Sequence, residues 1–195
     1  ESIRAAGETK GQVLKNEDGL TPTYFFFTFC GHTFDAADVW YDGGENNESV
    51  SKSVFLSDDS VSLDLKKEED FRRFIDREDG YHYFEEDLSW FRWQVYLTGE
   101  DIANGLLSFL GQNIGNLSAV NVRERGSSGI LKAVDIKGDA GTYTVYGEYN
   151  IRNVFSPVNA EIMTHTGEYV TGWKMLPSGY FYLDPVMEDG YCQGY

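Results

Sequence analysis

Cys30, Gly31, His32 and Thr33, followed by Asp35, Asp38 and Trp40, place a thiol, an imidazole, two carboxylates and an indole within eleven residues. The imidazole of His32 could act as a general base, hold a substrate hydroxyl, or pair with Asp35 or Asp38. A structural histidine near a strand end is the plainer alternative. Cys30 and His32 lie two residues apart, so on an extended chain they share one side. That spacing admits a thiol nucleophile whose pKa the imidazole lowers. No third, orienting group is identifiable, and cysteine is common as a small buried hydrophobe. Asp35, Asp38, Asp42, Glu45 and Glu48 could offer oxygen ligands to a divalent cation. They lack the regular spacing of a calcium loop, and a solvated acidic loop explains them more simply. Trp40, Tyr41, Tyr81, Tyr83, Trp90, Phe91, Trp93 and Trp173 could present flat faces to sugar rings, although most of them must be core.

The elements that would position these groups can be read from periodicity. Residues 24–29 are all aromatic except Thr28, which suits a strand covered on both faces. The strand breaks at Cys30-Gly31-His32-Thr33, and a rigid strand ending in polar side chains is a common way to build a site. Residues 12–15, a turn over 16–19 and residues 21–29 read as a β-hairpin with Gly19 at positive φ. Residues 42–49, DGGENNES, read as a surface loop. Phe71, Phe74 and Ile75 within residues 66–77 have the spacing of an amphipathic helix. Residues 92–98 alternate Trp93, Val95 and Leu97 against Arg92, Gln94 and Tyr96, as in a half-exposed strand. Thr98 then caps a helix over 100–110 whose buried stripe is Ile102, Leu106, Leu107 and Leu110. Residues 117–125, 130–137 and 142–146 are three strands separated by glycine-bearing turns, a β-meander. Residues 148–155 read as helical, and residues 180–183 as the last strand. The expected fold is α+β, an antiparallel β-hairpin and β-meander with a few short packing helices.

Composition narrows the classes of partner. The chain has 195 residues, 41% of them hydrophobic, which is enough for a substantial core and too apolar for a disordered chain. A formal charge of −16 argues against binding nucleic acid or anionic lipid through Lys/Arg clusters. No stretch has the roughly 18 consecutive apolar residues of a membrane helix, and the first ten residues do not resemble a signal peptide. The absence of an initiating methionine is what a processed or engineered fragment would show. Cys30 and Cys192 are too few to make a metal site alone, and whether they pair is left open by their number. No metal or other cofactor is expected.

Four ordered segments resemble the stage II sporulation protein D (SpoIID/LytB) family. They are Glu8-Thr9-Lys10-Gly11-Gln12-Val13-Leu14; Cys30-Gly31-His32-Thr33 with Asp38-Val39-Trp40; Phe91-Arg92-Trp93-Gln94-Val95; and residues 138–152, GDAGTYTVYGEYNIR. Leu176-Pro177-Ser178 with Tyr180-Phe181 is similar to the segment before that family's closing glycine-rich motif. The resemblance implies a bacterial, extracytoplasmic peptidoglycan protein, since family enzymes are lytic transglycosylases that cut glycan strands, usually stripped of stem peptides, during sporulation. One glutamate serves there as general acid and base, in a helical segment before the Glu-Thr-x-Gly stretch. Only seven residues precede Glu8 here, so residues 1–195 are expected to be the central part of one such domain, with no catalytic residue of their own and inactive in isolation. Cys30, Gly31, His32, Thr33, Asp38 and Trp40 are then the expected substrate contacts. The expected partners are peptidoglycan glycan strands, with no direct membrane contact. The alternative is a non-catalytic wall-binding or scaffolding module that recruits another cell-wall hydrolase.

Overall fold

The computed structural model of the chain describes residues 2–13, 15–16, 19–20, 30–40, 53–189 and 191–195. In chain order its elements are α1 (Ser2–Glu8), β1 (Lys15–Asn16), β2 (Gly19–Leu20), α2 (Ala36–Val39), α3 (Glu68–Ile75), β3 (Trp93–Val95), α4 (Gly99–Leu110), β4 (Leu117–Arg125), β5 (Leu131–Gly138), β6 (Gly141–Tyr146), α5 (Glu148–Val154), β7 (Ile162–Thr164), β8 (Tyr169–Val170), β9 (Val186–Glu188) and β10 (Tyr191–Gly194). The fold is α+β, with small antiparallel sheets and short helices.

The meander is the backbone of the molecule. β4, β5 and β6 pair antiparallel in that order, with Val134 of β5 opposite both Val122 and Val145. β5 lies in the middle and is buried along nearly its whole length, as its apolar run requires. α4 and α5 pack beside this sheet, and Ile102, Leu106, Val134, Ile136, Ile151, Val154 and Phe155 form one core with it. Thr98 caps α4 as anticipated: its hydroxyl accepts from the Asp101 amide while the Asp101 carboxylate accepts from the Thr98 amide. Leu107, expected in the buried stripe, is 47% exposed. Ile102 and Leu106 take the core-facing positions, and Leu107 turns just past the edge of the packed stripe.

A second cluster of Leu65, Phe71, Phe74, Tyr83 and Phe91 gathers around α3. It is joined to the meander through Gly129, which has φ 86° and packs directly on the Phe71 ring; a Cβ there would collide with that ring and lie 3.1 Å from Leu65. Of the expected hairpin only the two rungs at its turn are found, Lys15 opposite Leu20 and Asn16 opposite Gly19, with Gly19 at φ 126°; Asn16 and Gly19 pair rather than turn, and residues 12–13 are not in a strand. Its second arm over 21–29, the aromatic strand over 24–29 and the acidic loop over 42–49 lie outside the described residues.

Residues 180–183 are extended but pair with no strand, contrary to the sequence reading. Arginine side chains occupy the carbonyls along this segment. Arg152 Nε donates to Leu176 O at 2.7 Å, Arg125 Nη2 to Phe181 O at 3.1 Å and Arg72 Nη2 to Leu183 O at 3.1 Å. The Leu131 amide adds a bond to Gly179 O at 3.0 Å. Backbone acceptors must be satisfied when buried, and here guanidinium forks serve in place of a neighbouring strand. The strands after Pro157 are instead β7, β8, β9 and β10, with β7 pairing β3.

Candidate functional site

A cavity of about 1190 Å³ opens where the two clusters meet. One wall is the segment from Cys30 to Val39; the others come from the end of α3, residues 90–97, the start of α5 and residues 173–184. Of the six expected contact residues, Cys30 and His32 face this cavity.

The Cys30 to Thr33 segment is fixed by backbone pairing. Leu56 N donates to Gly31 O at 2.9 Å, Thr33 N to Val54 O at 2.9 Å, and Val54 N to Thr33 Oγ1 at 2.8 Å. His32 bridges Phe55 in this short antiparallel contact and sets its ring edge-on to the Phe55 ring at 4.2 Å. Gly31 has φ 95°, and a Cβ there would lie 2.9 Å from the Tyr83 ring. A glycine is therefore required for backbone conformation and for close packing at once.

These surroundings decide the chemistry of the two candidate groups. His32 is 4% exposed, and burial lowers its pKa to about 4, against a smaller opposing effect of its bond to the Thr33 carbonyl. The ring is neutral near pH 7. Nδ1–H donates to Thr33 O, which leaves Nε2 as an acceptor. Burial raises the Cys30 thiol to about 11, with the Arg92 charge only partly offsetting it. A protonated thiol beside an imidazole already committed to a backbone carbonyl is not an activated Cys/His pair. Neither expected carboxylate partner reaches His32. Asp35 caps α2 by accepting from Ala37 N at 3.0 Å. Asp38 accepts from Ser127 N at 2.8 Å and Ser127 Oγ at 3.1 Å, and meets Lys132 Nζ at 3.2 Å.

Thr33, Gly31 and Asp38 thus hold the loop in place, and Trp40 stands at the surface, 59% exposed, 6.4 Å from the cavity-lining Phe34 ring. Cys30 and Cys192 are both free thiols. Among the described residues no group of three His, Cys, Asp or Glu side chains is arranged to hold a metal ion. Asp42, Glu45 and Glu48 lie outside those residues.

The rest of the wall includes Trp90, Phe91, Trp93 and Trp173, which the sequence marks by residue type but not by spacing. Trp90 and Trp173 stack with ring centres 4.7 Å apart and planes inclined by 36°. Both line the cavity, as do Phe91, Arg92, Trp93 and His165. Arg92, expected on the outer face of a strand, turns inward. Its Nε donates to Ile75 O at 2.9 Å, Nη1 to Cys30 O at 2.7 Å and to Phe91 O at 2.8 Å, and Nη2 to Phe74 O at 2.9 Å. Its guanidinium lies 4.0 Å from the Phe91 ring centre. Burial lowers its pKa to about 10, still far above neutrality. Arg92 therefore ties the C-terminal carbonyls of α3 to Cys30 and positions the reactive-looking loop. Glu148, at the start of α5, also faces the cavity. Burial holds its carboxyl above the ordinary carboxylate range, and Arg152, with Nη1 at 3.2 and 3.4 Å from the two oxygens, only partly offsets this.

Residues 38–193 match DUF8618, a family described as a domain of unknown function, and the chain belongs to that family. No curated protein and no solved structure matches it significantly. The matched span holds Asp38, Trp40 and all of the cavity wall except Cys30, His32, Phe34 and Tyr195. No helix among the described residues is long and apolar enough to cross a membrane.

Proposed function

We propose that this chain binds the glycan strands of peptidoglycan, as the binding part of a SpoIID/LytB-like lytic transglycosylase, in an extracytoplasmic, wall-facing location. The observation that carries the reading is the large cavity joining the Cys30 to Val39 wall to an aromatic wall of Trp90, Trp93 and Trp173. Its size exceeds the roughly 300–1,000 Å³ of ordinary small-molecule sites, as an oligomeric ligand requires. Aromatic faces and neutral hydrogen-bonding groups recognise sugars without relying on net charge. His32 contributes a neutral Nε2 acceptor for a sugar hydroxyl, which its lowered pKa keeps available at neutral pH.

The contribution of these residues is binding. Cys30 is a protonated thiol, and Glu148, although burial raises its carboxyl, has both oxygens turned to Arg152, so neither is placed as the free acid that glycoside cleavage needs. The alternative, a scaffolding module that recruits a wall hydrolase, is favoured by the charge of −16, which suits a basic protein partner.

Sedimentation with purified peptidoglycan, and with strands freed of stem peptides, tests the reading. Retention on both, with no release of anhydro-muropeptides, is the expected result. Protein that stays wholly in the supernatant at every concentration overturns it.

A further inference from the structure

We infer that Trp90 and Trp173 form a subsite for the neutral sugar of the strand, an N-acetylhexosamine without an acidic substituent. The inference rests on the glycan reading and adds where one ring sits and which ring it is.

Geometry supports the platform. The two indoles stack on one another at 4.7 Å, so each supports the other and little side-chain freedom remains to be lost when a ligand arrives. Both are only partly buried and both line the cavity. The backbone under Trp90 is pinned to the turn between β7 and β8, since His165 N donates to Ser89 O at 2.9 Å and Thr166 Oγ1 to Ser89 Oγ at 3.1 Å. Trp93 Nε1, deeper in the wall, donates to Ser178 Oγ at 3.3 Å. The indole N–H groups of Trp90 and Trp173 have no acceptor among the described residues, and neither is sealed from solvent. The pair thus offers an apolar face edged by open donors. Sugars present the complement, a C–H face bordered by hydroxyl and acetamido acceptors.

Charge selects among sugars. The cationic groups around this end of the cavity are already engaged. Arg77 pairs through Nη2 with Glu86 at 2.8 Å while its Nε is buried without a partner, and Arg92 has its Nε and both terminal nitrogens on backbone carbonyls. On the acidic side, Asp76 accepts from the Tyr182 hydroxyl at 2.8 Å. An anionic ligand group would have to compete with Glu86 for Arg77 and would find the Arg92 nitrogens already on carbonyls, so its lost hydration would be poorly offset. The lactyl carboxylate of a muramic acid residue is such a group. The neighbouring N-acetylglucosamine of an alternating strand carries none.

Titration of the ¹⁵N-labelled protein tests this, following the two indole N–H signals with an N-acetylglucosamine tetramer and with muramic-acid-containing strands freed of peptides. Trp90→Ala and Trp173→Ala are compared with Trp90→Phe, which keeps an aromatic face if alanine unfolds the site. The expected result is that the neutral tetramer shifts both signals, that each alanine variant weakens binding at least tenfold, and that Trp90→Phe loses less. Binding that leaves the indole signals unmoved and the variants unaffected overturns the subsite while the glycan reading stands. Binding of muramic-acid strands alone overturns the choice of the neutral sugar. No binding of either ligand overturns the glycan reading itself, and the subsite with it.

Discussion

His32 shows how far a residue's chemistry depends on what surrounds it. Its position after Cys30 and Gly31 marks it in the sequence as a potential base, but the Phe55 ring and the Thr33 carbonyl make it a buried neutral imidazole instead. The folded pKa of about 4 lies below the ordinary value of 6.5, so the unfolded chain takes up the proton first as pH falls. Stability is therefore complete above about pH 6.5 and declines as the pH drops toward 4. The full difference corresponds to about 3 kcal/mol for a group this buried. His32→Gln keeps a polar side chain and removes the titration. Urea midpoints measured across this window should fall more steeply for the wild type than for the variant. Parallel curves would show that His32 is not the group responsible. The sequence revealed the residue and its neighbours in the chain but could not reveal Phe55 and Val54, which lie more than twenty positions away and set its protonation.

Elements positioned by local rules were the most legible. The capping box at Thr98 and Asp101, the glycine-punctuated strands of the meander and the apolar spacing of α3 all follow from neighbours within a few residues, and each formed close to its expected bounds. Features set by long-range partners were not legible. Residues 180–183 have the composition of a strand, but Arg72 and Arg125 occupy carbonyls that a strand would have paired. Arg92 alternates as an exposed residue should, yet the carbonyls of Cys30, Phe74 and Ile75 converge on it. Asp38, marked in the sequence only as a candidate contact, joins α2 to the meander through Ser127 and Lys132. Lys132 Nζ also meets Glu124 at 3.0 Å, so a buried cation is held between two carboxylates. Asp38→Ala removes one of them and strands the Ser127 amide. Breaking a buried pair costs about 3–5 kcal/mol when the remaining charge has no partner, and because Lys132 keeps Glu124 the loss should fall at the lower end of that range. Replacing both partners, with Asp38→Ala and Lys132→Met together, should recover part of that loss, since the buried ammonium is gone and the only carboxylate left without it, Glu124, is partly exposed to water. Equilibrium urea unfolding of the two single variants and the double variant gives the coupling directly. A loss below about 1 kcal/mol for Asp38→Ala would place this contact among ordinary surface pairs and remove its role as a latch.

Across the whole molecule, the two readings of function differ in how they use a charge of −16. The cavity brings together Trp90, Trp93 and Trp173 from segments some eighty residues apart, a juxtaposition that no pattern in the chain announces. Its charged neighbours are engaged internally, so a neutral glycan would bind through stacking and hydrogen bonds at short range, with the acidic exterior as a spectator. A basic wall hydrolase would instead be drawn by that exterior, and its attraction would weaken as salt shortens the screening length from about 14 Å near 0.05 M to about 4 Å near 0.5 M. Affinity for an N-acetylglucosamine oligomer should therefore change less than about twofold over this range, whereas capture of a basic hydrolase should fall by about tenfold or more. Isothermal titration at both salt concentrations, with the same protein preparation, separates the cases. A salt-insensitive glycan affinity lost in Trp90→Ala would locate the binding energy in the aromatic wall. A glycan affinity that collapses in salt would mean that charge carries recognition, contrary to a cavity in which Arg77, Arg92 and Arg152 are already paired with carboxylates or carbonyls.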